Sequence, residues 1–188
     1  MLLRPAASFP LARQLRSPRG APIGEVFAFL SGLYFRGKLT YARAFAPDRS
    51  FVITPESGLF TLEQHVTAEV IERFASVGIH HEDERYRTPL LRDAMDIDDL
   101  TGKACDAVLF GSIASKKYVE VLSEVFGERL LFPETFVGRG DMSRGGLLLR
   151  AARSGTELDY IPVQGAVRHG KRPPKLAPIR GILKASGG

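Results

Sequence analysis

The stretch Asp106-Ala-Val-Leu-Phe-Gly-Ser-Ile-Ala-Ser-Lys-Lys-Tyr118 reads as a buried strand that breaks at Gly111 and feeds a helix beginning near Ser115. Gly111 permits a sharp turn as the strand ends. Ser112 or Ser115 is placed to cap the next helix, and Lys116 and Lys117 add formal charge. Free N–H groups at a helix start carry partial positive charge, so such a turn accepts an oxyanion. The pattern is neither the G-x-x-x-x-G-K loop nor G-x-G-x-x-G. The same residues also suit an ordinary strand–helix turn whose serine is only a cap.

A second group lies in Val137-Gly-Arg-Gly-Asp-Met-Ser-Arg-Gly-Gly146. Four glycines, two arginines and an aspartate precede a helix, with Asp141 or Ser143 as its expected N-cap. Arg139 and Arg144 can hold phosphate or carboxylate in bidentate fashion, and Asp141 can act as a general base or orient an arginine. The plainer alternative is a glycine loop with surface arginines. Glu56 and Ser57 follow an apolar strand directly, in Thr54-Pro-Glu-Ser-Gly-Leu59, and fall on the same expected rim or in a proline–glycine turn. Arg19, Arg36 and Lys38 can complete an anion pocket. Tyr34 is either a stacking platform or core, and Phe35 is assigned to the core.

Other chemistry is weakly supported. His80 and His81 are adjacent and cannot face one way on a helix or strand, so they read as surface loop. Asp96, Asp98 and Asp99 lack the EF-hand pattern and read as a solvated helix end. Cys105 is the only cysteine, which excludes an internal disulfide and a multi-cysteine metal site. No G-x-S-x-G occurs. No motif names a reaction, a metal site is not expected, and the sequence identifies no particular cofactor.

The elements that must position these residues follow from periodicity. Helical spacing covers 24–46, with Gly32 and Gly37 able to split it, then 66–75, 90–100, 115–126 and 143–152. Short apolar runs at 51–54, 107–110, 129–132 and 158–163 read as strands, and 76–86 as loop. Strands alternating with helices predict an α/β fold: a three-layer, Rossmann-like sandwich around a mostly parallel sheet of four or five strands. Its carboxyl-end rim would gather the exits of 51–54, 107–110 and 129–132. Residues 1–23 are expected to be irregular, 24–165 to form the domain, and 166–188 to be a basic, flexible tail.

At 188 residues, 44% hydrophobic and 25% charged, the chain fits one soluble domain. No apolar run approaches a membrane span, Pro5 and Pro10 interrupt any leader-like start, and a cytoplasmic address is the default. Charge is segregated. Residues 56–99 hold eleven Asp or Glu against four Arg, residues 165–188 six Lys or Arg and no acid, and residues 1–20 four Arg and no acid. Basic ends point to phosphate, in a nucleotide or nucleic acid. The alternative is a non-catalytic structural or interaction module whose tail docks on an acidic partner or on residues 56–99. Oligomeric state is not set by these features.

Three pieces carry a resemblance: Gly32-Leu-Tyr-Phe-Arg-Gly-Lys-Leu-Thr-Tyr-Ala42, Phe51-Val-Ile-Thr-Pro-Glu-Ser-Gly-Leu-Phe60 and Val108-Leu-Phe-Gly-Ser-Ile-Ala-Ser-Lys-Lys-Tyr118. In this order they resemble an uncharacterised group of small bacterial α/β proteins. That group is itself similar to domains of tRNA-guanine transglycosylase and archaeosine-forming proteins, and distantly to the uracil-DNA glycosylase fold. The resemblance covers roughly residues 30–130. It implies an α/β fold in a nucleotide or nucleic-acid context and carries over no catalytic residue, because the water-activating acidic motif of uracil-DNA glycosylases is absent.

Overall fold

A computed structural model describes residues 2–4, 6–167 and 170–177. The expected tail therefore lies partly outside the described residues. Among those described, no helix is long and apolar enough to cross a membrane.

The chain opens with a short helix, α1 (Pro10–Leu15), and a two-residue strand, β1 (Ala21–Pro22). The helical pattern of 24–46 is indeed split, into α2 (Ile23–Leu30) and α3 (Gly32–Phe45). The break falls at Gly32, whose φ of +66° is left-handed and ends the first helix cheaply. Then follow β2 (Phe51–Ile53), β3 (Leu59–Thr61), β4 (His65–Val66) and α4 (Ala68–Ser76). Helix α5 (Glu84–Thr101) starts six residues before the expected onset of 90, because Asp83 caps it by accepting from the Arg85 N–H at 3.0 Å. Pro89 within it looks like a breaker, but its missing N–H deprives only the carbonyl of exposed Arg85 of a partner. The last elements are β5 (Ala107–Val108), α6 (Lys116–Phe126), β6 (Leu130–Pro133), α7 (Asp141–Ser154) and β7 (Tyr160–Pro162).

The expected mostly parallel sheet of four or five strands is not formed, and the fold is not a Rossmann-like sandwich. Helices dominate, and the strands form three small sheets: β1–β4, β2–β3 and β5–β6–β7. The run at 51–54 does not join the others. It returns through residues 54–58 into an antiparallel hairpin pairing Phe51 with Thr61 and Ile53 with Leu59. Five residues cannot make a parallel crossover, which needs a dozen or more. Buried Thr54 pins that turn, its Oγ1 donating to the Gly58 carbonyl at 2.9 Å and accepting from the Ser57 N–H at 3.0 Å. At the far end β7 runs antiparallel to β6. Among the described residues only β5 and β6 are parallel, Ala107 facing Leu130 and Val108 facing Leu131, with α6 as their crossover. One βαβ unit is thus all that survives of the expected architecture.

Two apolar clusters hold the molecule. One gathers Leu2, Leu15, Ile23, Val26, Leu39, Val66 and Phe74 from the first half of the chain. The other gathers Tyr86, Leu90, Val121, Leu130, Phe132, Phe136 and Leu148 from the second, with Tyr41. Helix α3 serves both, presenting Leu39 and Ala42 to the first and Tyr41 to the second. It crosses α7 at two glycines. A Cβ on Gly37 would lie 2.7 Å from the Gly145 carbonyl oxygen, and one on Gly145 would lie 2.8 Å from that of Leu33. Asp98, expected at a solvated helix end, is instead buried. It accepts from Arg129 Nη2 at 2.6 Å and pairs with Lys103, while Arg129 Nη1 donates to the Cys105 carbonyl at 2.8 Å. These cations, Lys103 first, hold its carboxyl below the usual carboxylate range. The ion cluster fixes the entry to β5 against the start of β6.

Candidate functional site

Because β5 and β6 are parallel neighbours, their carboxyl ends share one edge. The turn after β5 (111–115) and the loop after β6 (134–140) are both carried there, as the sequence led one to expect for this pair of strands. Helix α3 lies over them. Tyr34 donates its hydroxyl to the Phe110 carbonyl at 3.1 Å, at the exit of β5, and meets the Phe136 ring edge-on with centroids 6.2 Å apart. One tyrosine therefore touches both loops. Burial pushes its hydroxyl up to about 12 against the opposing charge of Arg144, so Tyr34 stays a neutral phenol.

One helical turn on, Lys38 faces the same way. Its Nζ stands 4.1 Å from the Tyr34 ring centroid and 5.7 Å from that of Phe35, a cation–π arrangement. Among the described residues Lys38 makes no hydrogen bond and no ion pair, and none of their buried side-chain nitrogens lacks a partner. The Lys38 amine must therefore reach solvent. Burial lowers its pKa to about 8. Asp141 opposes that shift, while Arg144 and Lys117 add to it. The charges acting on Lys38 thus come from two other helices: Lys117 of α6, and Arg144 and Asp141 of α7.

Both cations are held in place. The Lys117 backbone carbonyl accepts from the Tyr86 hydroxyl at 2.7 Å, and its Nζ lies 4.9 Å from the Tyr118 ring centroid. Arg144 donates from Nε and Nη2 to the Phe136 carbonyl, both at 3.3 Å, and its guanidinium sits 5.5 Å from the Phe136 ring centroid. Asp141 approaches Arg144 only to 3.9 Å and is largely exposed, so it does not neutralise the cluster.

The remaining residues singled out from sequence divide. Gly111 lies at the strand exit but has an ordinary φ. A Cβ there would press on Leu109 at 3.0 Å and Tyr118 at 3.2 Å, so glycine is needed for space rather than for a turn. Ser115 occupies the N-cap of α6 and Ser112 supplies the carbonyl that accepts its N–H at 3.4 Å, but neither side chain caps the helix. Gly140, not Asp141 or Ser143, is the N-cap of α7. Ser143 Oγ instead accepts from Arg139 Nη1 at 3.1 Å, and Arg139 also donates to the carbonyls of Thr135 at 3.0 Å and Pro174 at 3.2 Å. Lys116 points to solvent and pairs with Glu120 at 3.3 Å, so Lys117 is the lysine that faces the cluster. Arg36 is exposed and makes no side-chain bond among the described residues. Glu56 stands apart in the β2–β3 turn, ion-paired to Arg73 of α4. Tyr34-x-x-x-Lys38, two residues one turn apart, was the legible signal for the centre of the site.

Residues 170–177 cross the start of α7. A Cβ on Gly138 would lie 2.4 Å from the Lys171 carbonyl oxygen, and Arg150 donates to the Ala177 carbonyl. Between this segment and the first turn of α7 opens a cleft of about 710 Å³, whose charged lining is Arg139, Asp141, Arg172 and Lys175. The segment meets the body through its backbone carbonyls, not by pairing its basic side chains with residues 56–99.

No family model, curated protein or solved structure matches the chain.

Proposed function

We propose that the protein binds a phosphate-bearing ligand, a nucleotide or a short stretch of nucleic acid, at the joined carboxyl ends of β5 and β6. The observation that supports this is the grouping around Lys38 of two further cations, Arg144 and Lys117, with one loosely paired carboxylate, Asp141, 3.9 Å from Arg144. Like charges gathered at a half-buried site repel one another, and an anion between them removes that penalty. Lys38 would contribute a charge that binding itself stabilises. Arg144, already held by the Phe136 carbonyl, loses little freedom in gripping an oxyanion. Arg172 and Lys175 beside the cleft extend positive charge for a longer ligand. The likeness of residues 30–130 to the bacterial α/β group, itself proposed on motifs alone, points the same way.

Titration with a mononucleotide and with short single-stranded oligonucleotides at two salt concentrations tests this. Three phosphate contacts predict a slope of log K against log salt of about −2 for a single strand. Lys38→Met or Arg144→Met should weaken binding roughly 10- to 100-fold, as for loss of a charge-assisted hydrogen bond. No binding at low salt, or binding with no salt slope, overturns the reading.

A further inference from the structure

Residues 170–177 touch the body through their backbone at every third position. The Lys171 carbonyl packs on Gly138, the Pro174 carbonyl accepts from Arg139 Nη1 at 3.2 Å, and the Ala177 carbonyl accepts from Arg150. A three-residue repeat around Pro173-Pro174 is that of an extended polyproline-type strip. Positions 172 and 175, also three apart, share another edge of such a strip, and Arg172 and Lys175 both line the cleft against the first turn of α7. The facing wall carries Arg139, whose guanidinium is fixed by the Thr135 and Pro174 carbonyls and by Ser143 Oγ. Those neutral acceptors leave its charge uncompensated. None of Arg139, Arg172 and Lys175 has an ion pair among the described residues, and Asp141 is the one carboxylate in the lining. Three cations against one carboxylate leave the cleft with two positive charges in excess. The rest of the lining is largely apolar: Met142, Pro173, Pro174 and Leu176.

We propose that this cleft is a second phosphate subsite, so that the ligand is a single-stranded nucleic acid of two or more nucleotides rather than a free mononucleotide. The proposal rests on the phosphate-site reading above and names the class of ligand. Asp141 lines the cleft and lies 3.9 Å from Arg144, so the two basic groups adjoin. One phosphate lies at Arg144 and Lys38, and a neighbouring one between Arg139, Arg172 and Lys175. Guanidinium groups suit phosphate oxygens in bidentate fashion, and Arg139 is already held in position to receive them. At about 710 Å³ the cleft has room for a nucleotide unit. Its apolar lining gives an unstacked base a surface to pack on. A run of acidic side chains has no use for that surface, and a duplex keeps its bases turned inward. A mononucleotide reaches one subsite only. A strand bridges both, and its second contact is intramolecular, so affinity rises without another loss of translational freedom.

The test titrates the full chain with thymidine 5′-monophosphate, a single-stranded oligothymidylate, a duplex of the same length and polyglutamate, each at two salt concentrations. The single strand should bind at least about tenfold more tightly than the monophosphate, the gain expected of a second linked contact. The double variant Arg172→Met/Lys175→Met should lose that gain and keep monophosphate binding and Tm, because the segment docks through its backbone. Its salt slope for the strand should be shallower by about 1.4, two contacts at about 0.7 each. A strand carrying 4-thiothymidine should photocrosslink within 139–143 or 172–176. Equal affinity for strand and monophosphate overturns the proposal and leaves the first phosphate site standing. A length gain that the double variant retains, crosslinks confined to other segments, or polyglutamate or duplex binding as tightly as the single strand also overturn it. Loss of monophosphate binding in the double variant would put both cations at the first site and overturn it as well. Failure of every probe to bind at low salt removes both readings.

Discussion

Gly145→Ala and Gly146→Ala are adjacent substitutions in the same helix with opposite expected outcomes. Each gains the same intrinsic helix preference, about 1 kcal/mol for alanine over glycine. At Gly145 the new methyl meets backbone, the Leu33 carbonyl oxygen at 2.8 Å and the Tyr34 Cα at 2.9 Å. Backbone cannot move aside by changing rotamer, so α3 and α7 must separate. Overpacking of this kind costs about 1–3 kcal/mol, and rigid contacts place it toward the upper end. At Gly146 the methyl meets only the Leu176 Cδ1 at 3.2 Å, the tip of a flexible side chain. Gly145→Ala should therefore lose about 1–2 kcal/mol net, and Gly146→Ala should be neutral or slightly stabilising. Helix preference cancels in the comparison, so the gap between the variants reports the crossing alone. For a chain of this size it amounts to about 5–10 °C in Tm. Thermal unfolding followed by circular dichroism, with urea midpoints at constant m, measures it. Equal stabilities would mean that α3 and α7 do not cross in backbone contact. Gly145→Ala should also weaken phosphate binding, since Arg144 moves away from Tyr34 and Lys38.

Three further outcomes are expected. Anion binding should draw a proton onto Lys38, so affinity falls as pH rises through about 8, and calorimetry in buffers of different ionisation heat should register proton uptake that Lys38→Met abolishes. Asp98 has a lowered folded pKa, so its contribution is present above the unfolded value near 4 and is lost as pH falls. Asp98→Asn should destabilise the protein at neutral pH and flatten the acid limb of its stability profile, and an unchanged limb would contradict the pairing with Arg129 and Lys103. Deleting residues 170–188 should lower Tm by an amount that does not vary with salt, because the described part docks through the Lys171, Pro174 and Ala177 carbonyls; a strongly salt-dependent loss would instead indicate docking by charge.

The helices were legible because their apolar spacing is their own property: α4, α6 and α7 fall within a few residues of the expected spans. The sheet was not, because a run such as Phe51-Val-Ile-Thr54 is equally apolar in a parallel core strand and in a hairpin. What decides is the partner, and here the decisive residues are Thr54 and Gly58, which close a tight turn. Glu56 was drawn to the rim by that same assumption. The β5 and β6 exits were placed together correctly, since their connection through α6 is long enough for a crossover. Which of Lys116 and Lys117 pairs with Glu120 in solvent and which acts on Lys38 depends on one residue of helical phase at the start of α6, where boundaries are least determined. Asp98 was misread because its partners Lys103 and Arg129 lie in other segments and carry no local pattern.

The placement of α3 between the two apolar clusters bears on how the chain could be divided. Residues before the 77–83 connection build one cluster, residues after it build most of the other, and α3 lends Tyr34, Tyr41 and Phe45 across the seam. The candidate site lies on the seam too, with Tyr34 and Lys38 from one side and Lys117, Asp141 and Arg144 from the other. A chain cut within 77–83 would thus yield two fragments, each holding half of the charge cluster. A ligand that needs both halves would act as a clamp between them, and fragment reassembly would read out its occupancy without any assay of chemistry.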